Sequence, residues 1–156
     1  MSVTEWINAR LGVALDETSL AEIKDFSLIW NIFEDRVCSN NFNIAEVQKR
    51  IRERIFNADA FTPHLQYFQD RYINEGNTTE RFEFLYFRPN DRRKLVTRVL
   101  LGDLTSINDI LLAIVVIIYR FRNNLFHGLK DISTIDQQRT NFETANSFLM
   151  TFLDQY

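Results

Sequence analysis

The amino-acid sequence predicts an all-α fold, a helical bundle of about five to seven helices, in a single domain over residues 1–156. Three observations predict it. Only four Gly and two Pro punctuate the chain, and so few breakers favour long helices over a many-turned β fold. Apolar residues recur at i, i+3 and i+4 in several stretches, the stripe of a half-buried helix. One run of ten, Ile110 to Tyr119, is apolar or aromatic throughout, the mark of a helix buried on every side.

Each element follows from its residues. Ser19 to Ser39 reads as the first long helix, with Leu20, Ile23, Phe26, Ile29, Trp30, Phe33 and Val37 on one face. Ser19 and Glu22 have the spacing of a capping box, and Asn40 and Asn41 can end the helix. Asn43 caps a second helix to about residue 57, with Ile44, Val47, Ile51 and Ile55 as its stripe. Thr62-Pro63 places proline in the first turn of a third helix, which runs to Glu75 and stops at Gly76. Residues 77–88 admit two readings: Phe82, Phe84 and Tyr86 alternate like a strand, whereas Phe82, Leu85 and Tyr86 fit a helical turn. Asn90 or Asp91 begins a short basic helix to Leu101, stopped by Gly102. Thr105 or Ser106 starts the central buried helix, which ends near Gly128. Ser133 or Thr134 opens a last helix, faced by Phe142, Ala145, Phe148, Leu149 and Phe152.

Composition narrows the classes of function. With 46% apolar and 13% aromatic residues, the chain can bury a core and is not disordered by composition. A single cysteine, Cys38, excludes an intramolecular disulfide and suits a reducing compartment; a small buried filler is its expected role. MSVTEWINAR carries no basic region followed by an apolar stretch, so no signal peptide is read. The longest apolar run is about half the roughly 20 residues of a membrane span. The expectation is a soluble, cytoplasmic protein with no membrane partner. Net charge is −3, which argues against a chain that is basic all over. Yet 14 of the 18 basic residues are Arg, whose guanidinium fork suits phosphate and carboxylate.

The segment YRFRNNLFHG, Tyr119 to Gly128, carries the chemistry. Arg122 and His127 stand five apart, so on a regular helix they differ by about 140° and share no face. Asn123 and His127 are four apart and do share one. Either the last turn unwinds near Gly128, or a second copy of the segment lies opposite. Arg and His at a helix C-terminus also favour the negative end of the helix dipole, a purely structural reason for them to be there.

An Arg-Asn pair followed by His at this spacing, late in a small helical chain and at the end of an apolar helix, resembles the HEPN superfamily. These are helical domains of bacterial toxin, phage-defence and RNA-processing ribonucleases. Arg122, Asn123 and His127 match the superfamily's R-x4-H motif, and SLIWNIFEDRVC, Ser27 to Cys38, resembles the first long helix of some members. The resemblance implies a metal-independent endoribonuclease acting on single-stranded RNA, with no cofactor, and a homodimer that pools two motifs in one cleft. His127 would move protons, Arg122 would stabilise the phosphoryl anion, and Asn123 would orient the imidazole or bond phosphate. An antitoxin protein is a further partner that the resemblance admits. In HEPN toxins paired with a nucleotidyltransferase, a Tyr stands two residues after the His; Leu129 stands there in this chain, so regulation by that route is not expected. A catalytically silent interaction module on the same scaffold is the alternative.

Other residues carry weaker expectations. Arg88, Arg92, Arg93 and Lys94, with Arg120 and Lys130, could contact an RNA backbone. Lys49, Arg50, Arg52 and Arg54 form a second basic face; solvated ion pairs are the plainer reading of both groups. Glu34 or Asp35 could hold Arg122, although a surface position suits them better. His64 is expected at the surface, beside Pro63.

Overall fold

The computed structural model describes residues 1–126 and 131–156. His127, Leu129, Lys130 and the expected helix stop at Gly128 lie outside the described residues. The fold is all-α. In chain order it comprises α1 (Val3–Leu11), α2 (Glu17–Cys38), α3 (Ile44–Arg52), α4 (Thr62–Tyr72), a two-stranded hairpin of β1 (Ile73–Asn74) and β2 (Asn77–Thr78), α5 (Glu80–Glu83), α6 (Arg93–Leu100), α7 (Ile107–Phe126) and α8 (Arg139–Gln155). Two short 3-10 helices, Ala58–Phe61 and Ile132–Gln138, precede α4 and α8. The eight α-helices among the described residues exceed the expected five to seven because α1 and α5 are short and weakly patterned.

Side-chain caps set the starts of α1, α2 and α3. A capping box starts α1: Ser2 Oγ accepts from Glu5 N–H, and the Glu5 carboxylate accepts from Ser2 N–H. The expected capping box at Ser19 does not form. Asp16 lies one turn earlier and accepts from the N–H groups of Thr18 and Ser19. A carboxylate beside the positive end of the helix dipole is the stronger cap. Glu22 instead accepts from Asn146 Nδ2 on α8. Asn43 caps α3 as expected, accepting from Glu46 N–H.

The expected stripe of α3 fails at its end. The helix stops at Arg52, and Ile55 is 97% exposed. Phe56 is buried in its place, 4.9 Å from the Phe152 ring, and the larger side chain removes more apolar surface from water. Asn57 fixes this turn: its N–H donates to Gln155 Oε1 and its Oδ1 accepts from Asp59 N–H.

Proline occupies the first turn of α4, as the sequence predicts. That helix ends at Tyr72, short of Glu75, because the chain enters the hairpin. Glu75 (φ 51°) and Gly76 (φ 78°) form its turn, with the two left-handed residues that a tight hairpin requires. Between residues 77 and 88 the helical reading holds only in part: after the hairpin α5 covers Glu80–Glu83, and Phe82 and Leu85 are buried, but Tyr86 is exposed with a left-handed backbone (φ 54°), as Phe84 is also exposed.

The core forms around α7, which packs on α3 and α6. Leu111 to Ile118 are all buried, so the apolar run is the central helix. Helices α2 and α8 pack along each other, with Phe26 against Phe142 and Phe33 against Phe152. These contacts advance in the same sense along both helices, so the pair is parallel. Asp131 caps a 3-10 turn, Ile132–Gln138, that comes first, so α8 begins at Arg139, six residues after Ser133. Among the described residues, no helix is long and apolar enough to cross a membrane.

Candidate active site at the end of the central helix

The polar residues at the end of α7 divide between two faces. Tyr119, Arg122, Asn123 and Phe126 recur at three- and four-residue spacing, so they share one face. Arg120 and Asn124 share the next. The two groups do different things.

Arg120 and Asn124 form a buried clamp. Arg120 is fully buried; its Nε donates to Leu85 O at 3.0 Å and its Nη2 to Asn124 Oδ1 at 3.3 Å. Asn124 Nδ2 donates to the carbonyls of Phe84 and Leu85. Arg120 Nη1 lies 3.2 Å from Asp91 Oδ2, an ion pair too bent for a hydrogen bond. Burial pulls the Arg120 pKa down, and the Asp91 carboxylate opposes that pull. The expectation that Arg120 contacts RNA is therefore corrected: its guanidinium has no exposed surface, and it ties α7 to the segment between α5 and α6. Asp91 also accepts from Arg88 N–H at 2.8 Å, which completes the clamp.

Arg122 is half-buried and faces outward. Its Nη1 donates to Asn123 Oδ1 at 3.0 Å, and its guanidinium lies 5.4 Å from the Phe126 ring centroid. Asn123 is only 2% exposed. A buried amide thus holds a partly exposed guanidinium by a charge-assisted bond. This geometry makes Asn123 a positioning residue for Arg122, with its oxygen turned to the cation. Phe126 is 57% exposed.

The remaining candidates are scattered. Arg92 donates to Gln48 Oε1 at 3.2 Å. Arg93 pairs with Glu83 and stacks on the Phe82 and Phe87 rings. Arg88 and Lys94 are exposed. Arg50 pairs with Glu46 and Glu53, and Arg54 stacks on the Tyr156 ring; Lys49 and Arg52 are exposed. Glu34 accepts from Trp30 Nε1 and does not meet Arg122. Among the described residues, no three His, Cys, Asp or Glu side chains converge as metal ligands would.

His64 is not at the surface. It is buried between α4 and α8, with Nε2 2.9 Å from Ser147 Oγ, and burial lowers its pKa. Four residues along α4 from Phe68, it shares that helix's inward face, a signal present in the sequence. Cys38 is buried, and burial raises its thiol pKa.

A cleft also opens beside the α7 face that carries Arg122. Its lining includes Phe42, Asn43, Ala45, Asn90, Arg92 and Tyr119. Sequence patterning places Tyr119 in the fully buried run and gives Phe42 no role. The available signal was the position of Tyr119, one turn before Arg122 on the same face. No protein-family model, curated protein or solved structure matches this chain.

Proposed function

We propose that the protein is a metal-independent endoribonuclease of the HEPN type, acting on single-stranded RNA as a homodimer. The observation that carries this reading is the Arg122–Asn123 hydrogen bond, which fixes a cation at the outward face of the central helix. RNA supplies its own nucleophile, the 2′-hydroxyl. As its proton leaves, O2′ bonds to phosphorus and the P–O5′ bond breaks. The 5′-oxygen then takes a proton, leaving a 2′,3′-cyclic phosphate and a 5′-hydroxyl. An imidazole commonly exchanges protons near neutral pH, which is why His127 is assigned both transfers. Arg122 offers two parallel N–H groups to the phosphoryl oxygens as charge builds on them. A two-fold dimer supplies two copies of each group, one imidazole to take a proton and one to give it.

The test is cleavage of single-stranded RNA in EDTA by the wild type, Arg122→Ala and His127→Ala. Loss in both variants, with the helical circular dichroism retained, is the expected result. Cleavage by His127→Ala at the wild-type rate removes the assignment. A folded wild type that cleaves no RNA favours the silent interaction module. Growth arrest on expression, relieved by the same substitutions, tests a toxin or phage-defence role.

A further inference from the structure

The cleft beside Tyr119 has the parts that a nucleotide requires. Its volume is about 550 Å³, within the range of small-molecule sites. One wall is an aromatic platform. The Phe42 and Tyr119 rings stack at 4.0 Å and 17°, and both lean on the Trp30 ring, at 5.3 and 6.2 Å. Phe42 and Tyr119 are only half-buried, so the platform keeps ring surface in contact with solvent. Three mutually packed rings have little freedom to lose when a base stacks on them.

The loop from Pro89 to Arg92 forms another part of the wall. Arg92 holds a left-handed backbone, φ 58°, that a β-carbon disfavours. The Asp91 hydrogen bond from Arg88 N–H and its ion pair with Arg120 tie the loop down. Arg92 gives one N–H to Gln48, and a guanidinium has four more. The Asp91 carboxylate also stands on this wall, but the buried Arg120 guanidinium offsets its charge.

Position relates the cleft to Arg122. Tyr119 and Arg122 are three residues apart on α7, about 4.5 Å along the axis and on one face. That separation is shorter than one extended nucleotide.

We propose that this cleft is the subsite for the nucleotide adjoining the scissile phosphate. The base stacks on the Phe42–Tyr119 platform, Arg92 holds that nucleotide's own phosphate, and Arg122 meets the neighbouring one. Identification of the ligand as RNA rests on the ribonuclease reading; the platform and the cation stand on the geometry.

The experiment measures fluorescence anisotropy of a short fluorescein-labelled single-stranded oligoribonucleotide. It is done in EDTA on the His127→Ala background, so that binding is read without cleavage. Ala45→Leu fills the cleft from the exposed first turn of α3 without touching the core, and Arg92→Gln removes the cation. Each is expected to weaken binding about tenfold, the order of one lost stacking contact. Lys24→Gln, an exposed α2 cation paired with Glu17, should bind as the parent does. Circular dichroism and urea midpoints confirm that all variants fold. Adenosine monophosphate should compete with the oligonucleotide; inorganic phosphate competing equally well would remove the base from the site and overturn the proposal. Unchanged binding by Ala45→Leu would also overturn it, even with cleavage intact. Conversely, binding sensitive to Ala45→Leu in a wild-type protein that never cleaves RNA supports the subsite and removes only the nuclease reading.

Discussion

Replacing Arg120 with Met should destabilise the protein more than replacing any exposed arginine. The substitution deletes a guanidinium that is fully buried and bonded to Leu85 O, Asn124 Oδ1 and, through charge, Asp91. Asp91 stays buried with only the Arg88 N–H as a neutralising partner. Removing one member of a buried ion pair costs about 3–5 kcal/mol. Asn124 still donates to Leu85 O, and Met fills part of the vacated volume, so the loss belongs near the lower end, about 3 kcal/mol. Urea unfolding at 25 °C, followed by far-UV circular dichroism, reads it as a lower midpoint at unchanged slope. Adding Asp91→Asn should recover about 1–2 kcal/mol, because the orphaned charge is then gone. A loss below about 1 kcal/mol, the level of an exposed pair, would refute the clamp. So would strictly additive effects of the two substitutions.

Three further outcomes follow from burial. Phe56→Ala should cost about 3 kcal/mol and Ile55→Ala less than about 0.5, in the same urea titration, since only the first removes a packed side chain. His64 has a lowered pKa in the fold, so the unfolded chain binds more protons below its ordinary value of 6.5. Stability from a neutral His64 is therefore complete above that pH and declines as pH falls below it. His64→Gln should flatten the urea-midpoint profile as pH falls below about 6.5, and an unchanged slope there would contradict the assignment. The buried, protonated Cys38 thiol should react with a thiol reagent only after denaturation; rapid modification of the native protein would show that its helix end opens.

The helical class and the central helix were legible because an unbroken apolar run and regular stripes have few alternative explanations. Helix ends were less so. Ser19 and Glu22 have capping-box spacing, but Asp16 competes for the same N–H groups, and only three-dimensional packing gives Glu22 its partner, Asn146. Ile55 fits a continued stripe, yet burying Phe56 and satisfying Asn57 outweigh one more helical turn. In the candidate site, the Arg122–Asn123 pairing was not expected: spacing grouped Asn123 with His127, and adjacent helical residues do not ordinarily face each other. Nor was the division of labour between two arginines only two residues apart. It depends on Asp91 and on the carbonyl of Leu85, which the chain brings back from 29 and 35 residues away.

The proposed ribonuclease activity is tested most directly by the ends on any RNA fragments that the protein produces. Mass spectrometry of an oligoribonucleotide incubated with the wild type in EDTA should find a 2′,3′-cyclic phosphate or its opened form on one fragment. The other fragment should carry a 5′-hydroxyl. Neither should form with His127→Ala, nor from the same sequence made as DNA. Fragments ending in 5′-phosphate and 3′-hydroxyl would contradict attack by the 2′-hydroxyl, and with it the proposed roles of Arg122 and His127.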